Sequence, residues 1–132
     1  MNDRLEKQYN DFERAYKNLK TGAETAKTDL EMDGVIKRFE LCYEISWKLI
    51  KTYLEHQGII CKTPRMCFKE AFNNDLINNT DTWLKMIDDR NLLVHTYTFE
   101  QSRKIFEHIN EEFLNAFKNL KDTVKKRLSE EN

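Results

Sequence analysis

Apolar residues return along most of this chain at intervals of three and four, the spacing that lines up one face of an α-helix. Leu5, Tyr9, Phe12, Tyr16 and Leu19 draw one stripe down a first helix over 1–22, with Gly22 as its stop. Residues 23–32 are polar and read either as a loop or as an early extension of the next helix. A second helix over 33–57 carries two adjacent stripes, Val35, Phe39, Cys42, Ser46, Leu49, Tyr53 and Ile36, Tyr43, Trp47, Ile50, Leu54. Leu41 and Ile45 add apolar surface further round, which predicts a central helix. Gly58 fits the left-handed position that ends a helix, with Ile59 supplying the hydrophobic contact.

Thr63 as N-cap and Pro64 in the first turn open a short helix over 64–74, with Phe68, Ala71 and Phe72 expected inside. A fourth helix over 80–96 starts near Asn79 or Thr80. It aligns Trp83, Ile87, Arg90 and Val94, and beside them Leu84, Asp88, Asn91 and His95. Thr98 and Gln101 match a capping box that opens a last helix over 99–128, whose apolar face is Phe106, Ile109, Phe113, Ala116 and Leu120. Short connections between long helices favour antiparallel neighbours. The fold class is therefore all-α, an antiparallel up-and-down bundle of four to five helices in one domain spanning 1–132.

Composition narrows the function classes. Gly (3) and Pro (1) are too scarce for the turns of a sheet protein, and a net charge of -1 gives no electrostatic case for a dedicated DNA binder. The Lys125-Lys126-Arg127 run sits where cations suit a helix C-terminus, a reading preferred to nucleic-acid contact. Cys42, Cys61 and Cys67 are odd in number and form no C-x-x-C pair, which argues against a disulfide framework and for a reducing cytoplasm. The spacing of His56, Cys61 and Cys67 fits no common zinc pattern, so neither metal nor cofactor is expected. No apolar run approaches the ~20 residues of a membrane helix, and Met1-Asn2-Asp3-Arg4 is polar and lacks a signal-peptide core.

Candidate chemistry gathers in Asp89-Arg90-Asn91-Leu92-Leu93-Val94-His95-Thr96-Tyr97. Arg90 lies on an apolar stripe, where a guanidinium needs partners. An arginine can hold a phosphate with two parallel hydrogen bonds, and a histidine can move protons near neutral pH. Together Arg90 and His95 suit metal-independent RNA cleavage, with Asn91 orienting His95. On a regular helix, however, Arg90 and His95 point about 140° apart. They converge only if the helix ends before His95 or if two copies meet across a dimer interface. The bland alternative is a structural adaptor in which Arg90 pairs with a carboxylate such as Glu40 and locks two helices in register. Trp47 or Tyr43 could also stack on a base, although buried aromatics are more often core.

The pattern Arg-x4-His-x-Tyr, here Arg90, His95 and Tyr97, resembles the motif of HEPN proteins. Asp33-Gly34-Val35-Ile36-Lys37-Arg38-Phe39-Glu40 with Tyr43-Glu44-Ile45-Ser46-Trp47-Lys48 resembles the signature helix of the nucleotidyltransferase substrate-binding branch. Thr63-Pro64-Arg65, Lys69-Glu70-Ala71-Phe72 and Trp83 with Asp89-Arg90-Asn91 resemble it too, so the likeness runs from about Asp33 to Ile109. The resemblance implies a substrate-binding or partner subunit of a two-component system of toxin–antitoxin type. Its partner would be a minimal nucleotidyltransferase, and it would form a homodimer. The alternative it implies is an RNase toxin using Arg90 and His95, with Asn91 in support and Glu40 and Glu44 as supporting polar groups. Nucleotidylation of Tyr97 would silence that toxin. RNA or a nucleotide is the implied ligand, and the Gly-Ser and Asp-x-Asp site of a nucleotidyltransferase is absent from this sequence.

Overall fold

The computed structural model describes residues 3–130, so Met1 and Asn2 of the polar N-terminus lie outside the described residues. Among the described residues every regular element is helical: α1 (Asp3–Thr25), α2 (Asp29–His56), α3 (Pro64–Asn73), α4 (Thr80–Leu93), α5 (Phe99–His108) and α6 (Leu114–Glu130). A π-helical turn, Ile109–Phe113, joins α5 to α6 without a break. Helix α2 packs against α1, α3 and α5, and α6 returns along α1. This is the expected helical bundle with α2 at its centre.

The start of α2 differs from the sequence reading. Helix α1 runs past Gly22 to Thr25, and α2 begins at Asp29 rather than 33. Thr28 and Glu31 form a capping box, each satisfying the other's backbone N–H. Gly22 serves a close approach instead of a stop, because a Cβ there would lie 3.0 Å from Arg38 Nη1 and 3.3 Å from Val35. Arg38 Nη1 donates to the Asn18 carbonyl at 2.6 Å across the same crossing.

Two chain reversals bound α3. Gly58 takes φ 80°, while Gly58 N–H donates to Glu55 O and Ile59 N–H to Leu54 O, the paired bonds of a Schellman end. The other end repeats the device with a non-glycine residue. Asp75 takes φ 59°, its N–H donates to Phe72 O, and the N–H of buried Leu76 donates to Ala71 O. Arg127 holds this second turn, donating to the carbonyls of Asn74 and Asp75 and to the Tyr53 hydroxyl at 2.9–3.1 Å. Arg127 therefore ties α6 to α2 and to the turn after α3, a tertiary role beyond the helix-end preference.

Aromatic rings fill the core. Phe39 stacks on Phe113 with centroids 5.2 Å apart, and a chain of ring contacts runs Phe12–Phe117–Trp83–Phe68–Tyr43. Such contacts add about 0.5–1.5 kcal/mol each beyond the area they bury. Not every residue of the apolar stripes is inside, and Leu41 on α2 is exposed. Phe72 is half exposed, because α3 turns Cys67, Phe68 and Ala71 inward and Phe72 lies a further 100° round. Val94 is half exposed because α4 stops at Leu93, which takes the inward place. In the last helix Ile105 is buried and Phe106 only partly so. Ile105, Ile109, Phe113 and Phe117 recur every four residues, a spacing that overshoots an α-turn. The wider π-turn keeps Ile109 and Phe113 both facing the core.

Candidate functional site

The last ring of the aromatic chain, Tyr43, forms one wall of a cleft of about 580 Å³ between α2, α4 and the start of α3. Glu44 and Trp47 come from α2, Ile87, Arg90 and Asn91 from α4, and Thr63, Pro64 and Arg65 from the opening turn of α3. Thr63 caps α3 by accepting from Met66 N–H at 3.2 Å, which fixes this third wall.

Arg90 reaches across the cleft to Glu44, Nη2 to Oε1 at 3.3 Å. Glu44 is thus the partner, and Glu40, one turn earlier on α2, is not. The Glu44 carboxylate also accepts from the Trp47 indole N–H at 3.1 Å, so it orients both the guanidinium and the ring. Both members of the ion pair keep about a third of their side-chain surface exposed, so Arg90 is not the buried charge its stripe suggested. Burial pushes the Tyr43 hydroxyl up to about 12, helped by Glu44 and opposed by Arg90 and Arg65. Tyr43 therefore stays a neutral hydroxyl at the cleft wall.

The buried ionisable residue of this stretch is Asp89, which the sequence reading passed over. Its carboxylate meets His108 Nδ1 at 2.7 Å, with both side chains largely enclosed. Burial raises the Asp89 carboxyl, while the His108 hydrogen bond and nearby Lys85 pull it the other way. A polar residue on a buried helical stripe opposite a histidine could have signalled the pair, had the register of α4 against α5 been legible.

The remaining motif residues lie apart from the cleft. Helix α4 ends at Leu93 with Val94 as cap, and His95 N–H closes the turn on Leu92 O at 3.1 Å. His95 and Tyr97 are exposed on the connection to α5 and do not line the cleft, whereas Asn91 does. Thr98 and Gln101 then form the expected capping box. The structure brings Arg90, Asn91 and Glu44 together within one chain and leaves His95 and Tyr97 on the neighbouring turn.

The cysteines correct a second expectation. Cys61 and Cys67 are joined by a disulfide with Cα atoms 5.2 Å apart, across the turn that carries Thr63, Pro64 and Arg65. The cap at Thr63 and the turn at Pro64 double the chain back and bring the two buried sulfurs together. Cysteine usage therefore no longer speaks for a reducing compartment, and these two thiols are committed to each other. No described helix is long and apolar enough to cross a membrane.

Residues 7–126 match the family model described as nucleotidyltransferase substrate binding protein like. The chain belongs to this family. It is the nucleotidyltransferase substrate-binding branch whose signature helix the sequence resembles. Among curated proteins, a probable ribonuclease HepT of Haemophilus influenzae is 28% identical over 88 residues, which are 63% of this chain and 60% of that protein. The match thus spans less than two thirds of that relative's length. A solved structure from Thermus thermophilus is 32% identical, with TM-score 0.73, covering 89% of this chain and 98% of that one. The tri-AMPylated HEPN toxin of Shewanella oneidensis, solved in complex with its MNT antitoxin, is 24% identical with TM-score 0.78, covering 96% of this chain and 99% of that one. At that identity the likeness shows the shared fold.

Proposed function

We propose that this chain is the substrate-binding or partner subunit of a two-component nucleotidyltransferase system of toxin–antitoxin type. The observation that carries the reading is the turn between α4 and α5. Tyr97 is 44% exposed there, with the apolar side chains of Val94 and Phe99 open beside it. An accessible phenol on an apolar-rimmed turn suits entry into the active site of a second protein, and exposed apolar clusters mark interaction surfaces. The Shewanella relative, a toxin carrying AMP groups in complex with its antitoxin, supports this reading. In it, a minimal nucleotidyltransferase binds this face and transfers a nucleotidyl group from a nucleoside triphosphate to the Tyr97 oxygen, releasing pyrophosphate. Co-expression with a candidate minimal nucleotidyltransferase from the same genome, followed by pull-down and intact-mass measurement, tests it. A stable complex and a mass increment absent from Tyr97→Phe are expected. A folded partner that neither binds nor modifies the chain refutes it.

A second reading is favoured by the Arg90 cleft. Arg90 and Asn91 hold an RNA phosphate there, and the chain acts as a metal-independent ribonuclease. His95 reaches the same phosphate when two copies pair across a twofold axis and bring their α4–α5 turns to each other's clefts. Expression of the free protein should then slow growth, and His95→Ala should restore it. Equal harmlessness of the two forms, with no RNA cut by either, removes the enzymatic reading.

A further inference from the structure

A single phosphodiester group needs far less room than the cleft provides. Its volume of about 580 Å³ lies in the range of small-ligand pockets, ~300–1,000 Å³. Arg90 is already half committed to Glu44. The α3 wall carries Arg65, exposed and, among the described residues, engaged in no salt bridge. Two guanidinium groups face one carboxylate in this lining, so the cleft is net cationic. Trp47 lines the same cleft, half buried, its indole N–H fixed on Glu44 and Lys51 Nζ 5.9 Å from its ring centroid on one face. The Arg65 wall is itself held in place. The Cys61–Cys67 bond spans it, Thr63 caps it, and Pro64 restricts its backbone. A charged side chain on a braced turn, beside an oriented indole and without an internal partner, is arranged for an anionic aromatic ligand.

We propose that the α3 side of the cleft is a second nucleotide subsite, in which Arg65 takes a nucleotide phosphate and Trp47 stacks on its base. The subsite rests on the phosphate-binding reading of the Arg90 cleft and extends it to an adjoining nucleotide unit. An aromatic face stacks on any base, so the subsite gives affinity and register more than sequence choice. An arginine fork suits phosphate because it can donate two parallel hydrogen bonds.

The full chain, with its disulfide intact, is titrated with a fluorescein-labelled single-stranded RNA carrying 2′-O-methyl groups, which cannot be cleaved through its own hydroxyls, and separately with AMP. Wild type, Arg65→Ala, Arg65→Lys and Trp47→Phe are compared, with thermal melts confirming equal folding. Arg65→Ala is expected to weaken binding about tenfold, the scale of a lost charge-assisted contact. It should also reduce the slope of log affinity against log salt by about 0.7 for a single strand. Arg65→Lys should restore the slope and part of the affinity, and Trp47→Phe should keep most of it. A purely structural Arg65 would leave the salt slope unchanged. RNA binding by wild type with affinity and slope unaltered in Arg65→Ala overturns the subsite while leaving the Arg90 reading intact. Binding of AMP alone, lost in Arg65→Ala, establishes the subsite for a free nucleotide and removes the RNA reading. Failure of wild type to bind either ligand overturns both.

Discussion

Asp89 and Arg90 are adjacent on α4 and meet opposite fates. Asp89 turns towards α5, where its carboxylate meets His108 in a largely enclosed pair. Arg90 turns towards α2, where it meets Glu44 in the lining of an open cleft. A step of about 100° around one helix separates a charge enclosed in the bundle from a half-exposed charge that lines a cleft. Removing one partner of a buried pair strands the other, whereas a half-exposed pair gains little and can be replaced by water or by a phosphate. The residue that looked anomalous on the sequence stripe is therefore the available one, and the unremarked residue beside it carries the structural load.

The sharpest way to break this contrast is Asp89→Ala. It should destabilise the protein by about 3 kcal/mol, the scale of a broken buried pair, as measured by urea denaturation. A loss below about 1 kcal/mol, the range of surface pairs, would remove the distinction between the two sites. Next in size is reduction of the Cys61–Cys67 bond, which sits on the cleft side only. For the short loop it closes, chain entropy predicts a loss of about 2 kcal/mol. The indole NMR resonance of Trp47 should shift while the His108 imidazole resonances stay in place. Movement of His108 instead would show that the cleft wall and the Asp89 pair are one unit.

A smaller effect reads the enclosed Asp89 through pH. Burial holds the Asp89 carboxyl above its ordinary value of 3.8 despite His108 and Lys85. The folded protein thus binds this proton more tightly than the unfolded chain does. That stabilisation is complete below 3.8 and is lost as pH rises through the folded value. The stability of wild type relative to Asp89→Asn should therefore fall as pH climbs through the weakly acidic range. A relative stability that rises over that range would mean that His108 holds Asp89 as a carboxylate.

How much of this was legible in the sequence depends on how local each cause is. The stripe Leu5, Tyr9, Phe12, Tyr16, Leu19 is wholly buried, and the ends at Gly58, Thr63, Asn79 and Thr98 follow from residue chemistry within four positions. The Thr28–Glu31 box was equally local but was obscured by the polar run around it. The left-handed Asp75 was not legible, because glycine is the usual signal and here Arg127, 52 residues away, secures the turn. The choice of Glu44 over Glu40 depends on how α2 slides along α4, which the periodicity of either helix leaves undetermined. The Asp89–His108 pair depends likewise on the meeting of separate elements, whereas the Cys61–Cys67 bond closes over six residues and was masked by the odd cysteine count. For the candidate site, the cleft side of the motif was therefore readable as residue types, and its partners only from the packed structure.

The smallest change in stability is expected at Arg90 itself, and that smallness is the point. With about a third of each side chain exposed, the Arg90–Glu44 pair belongs with surface ion pairs, worth ~0–1 kcal/mol. Arg90→Ala should leave the denaturation midpoint within that margin. Its neighbour Glu44 would keep water on one oxygen and the Trp47 indole on the other, so no buried charge is stranded. On the proposed ribonuclease reading, the same substitution should still abolish growth inhibition and weaken binding of uncleavable RNA, because there the guanidinium is the group that holds the phosphate. A structural adaptor predicts the reverse pattern, several kcal/mol of lost stability with Arg90→Met tolerated. A folded, stable Arg90→Ala protein that has lost RNA binding would place the chemistry at the cleft, while an unfolded one would return Arg90 to the scaffold beside Asp89.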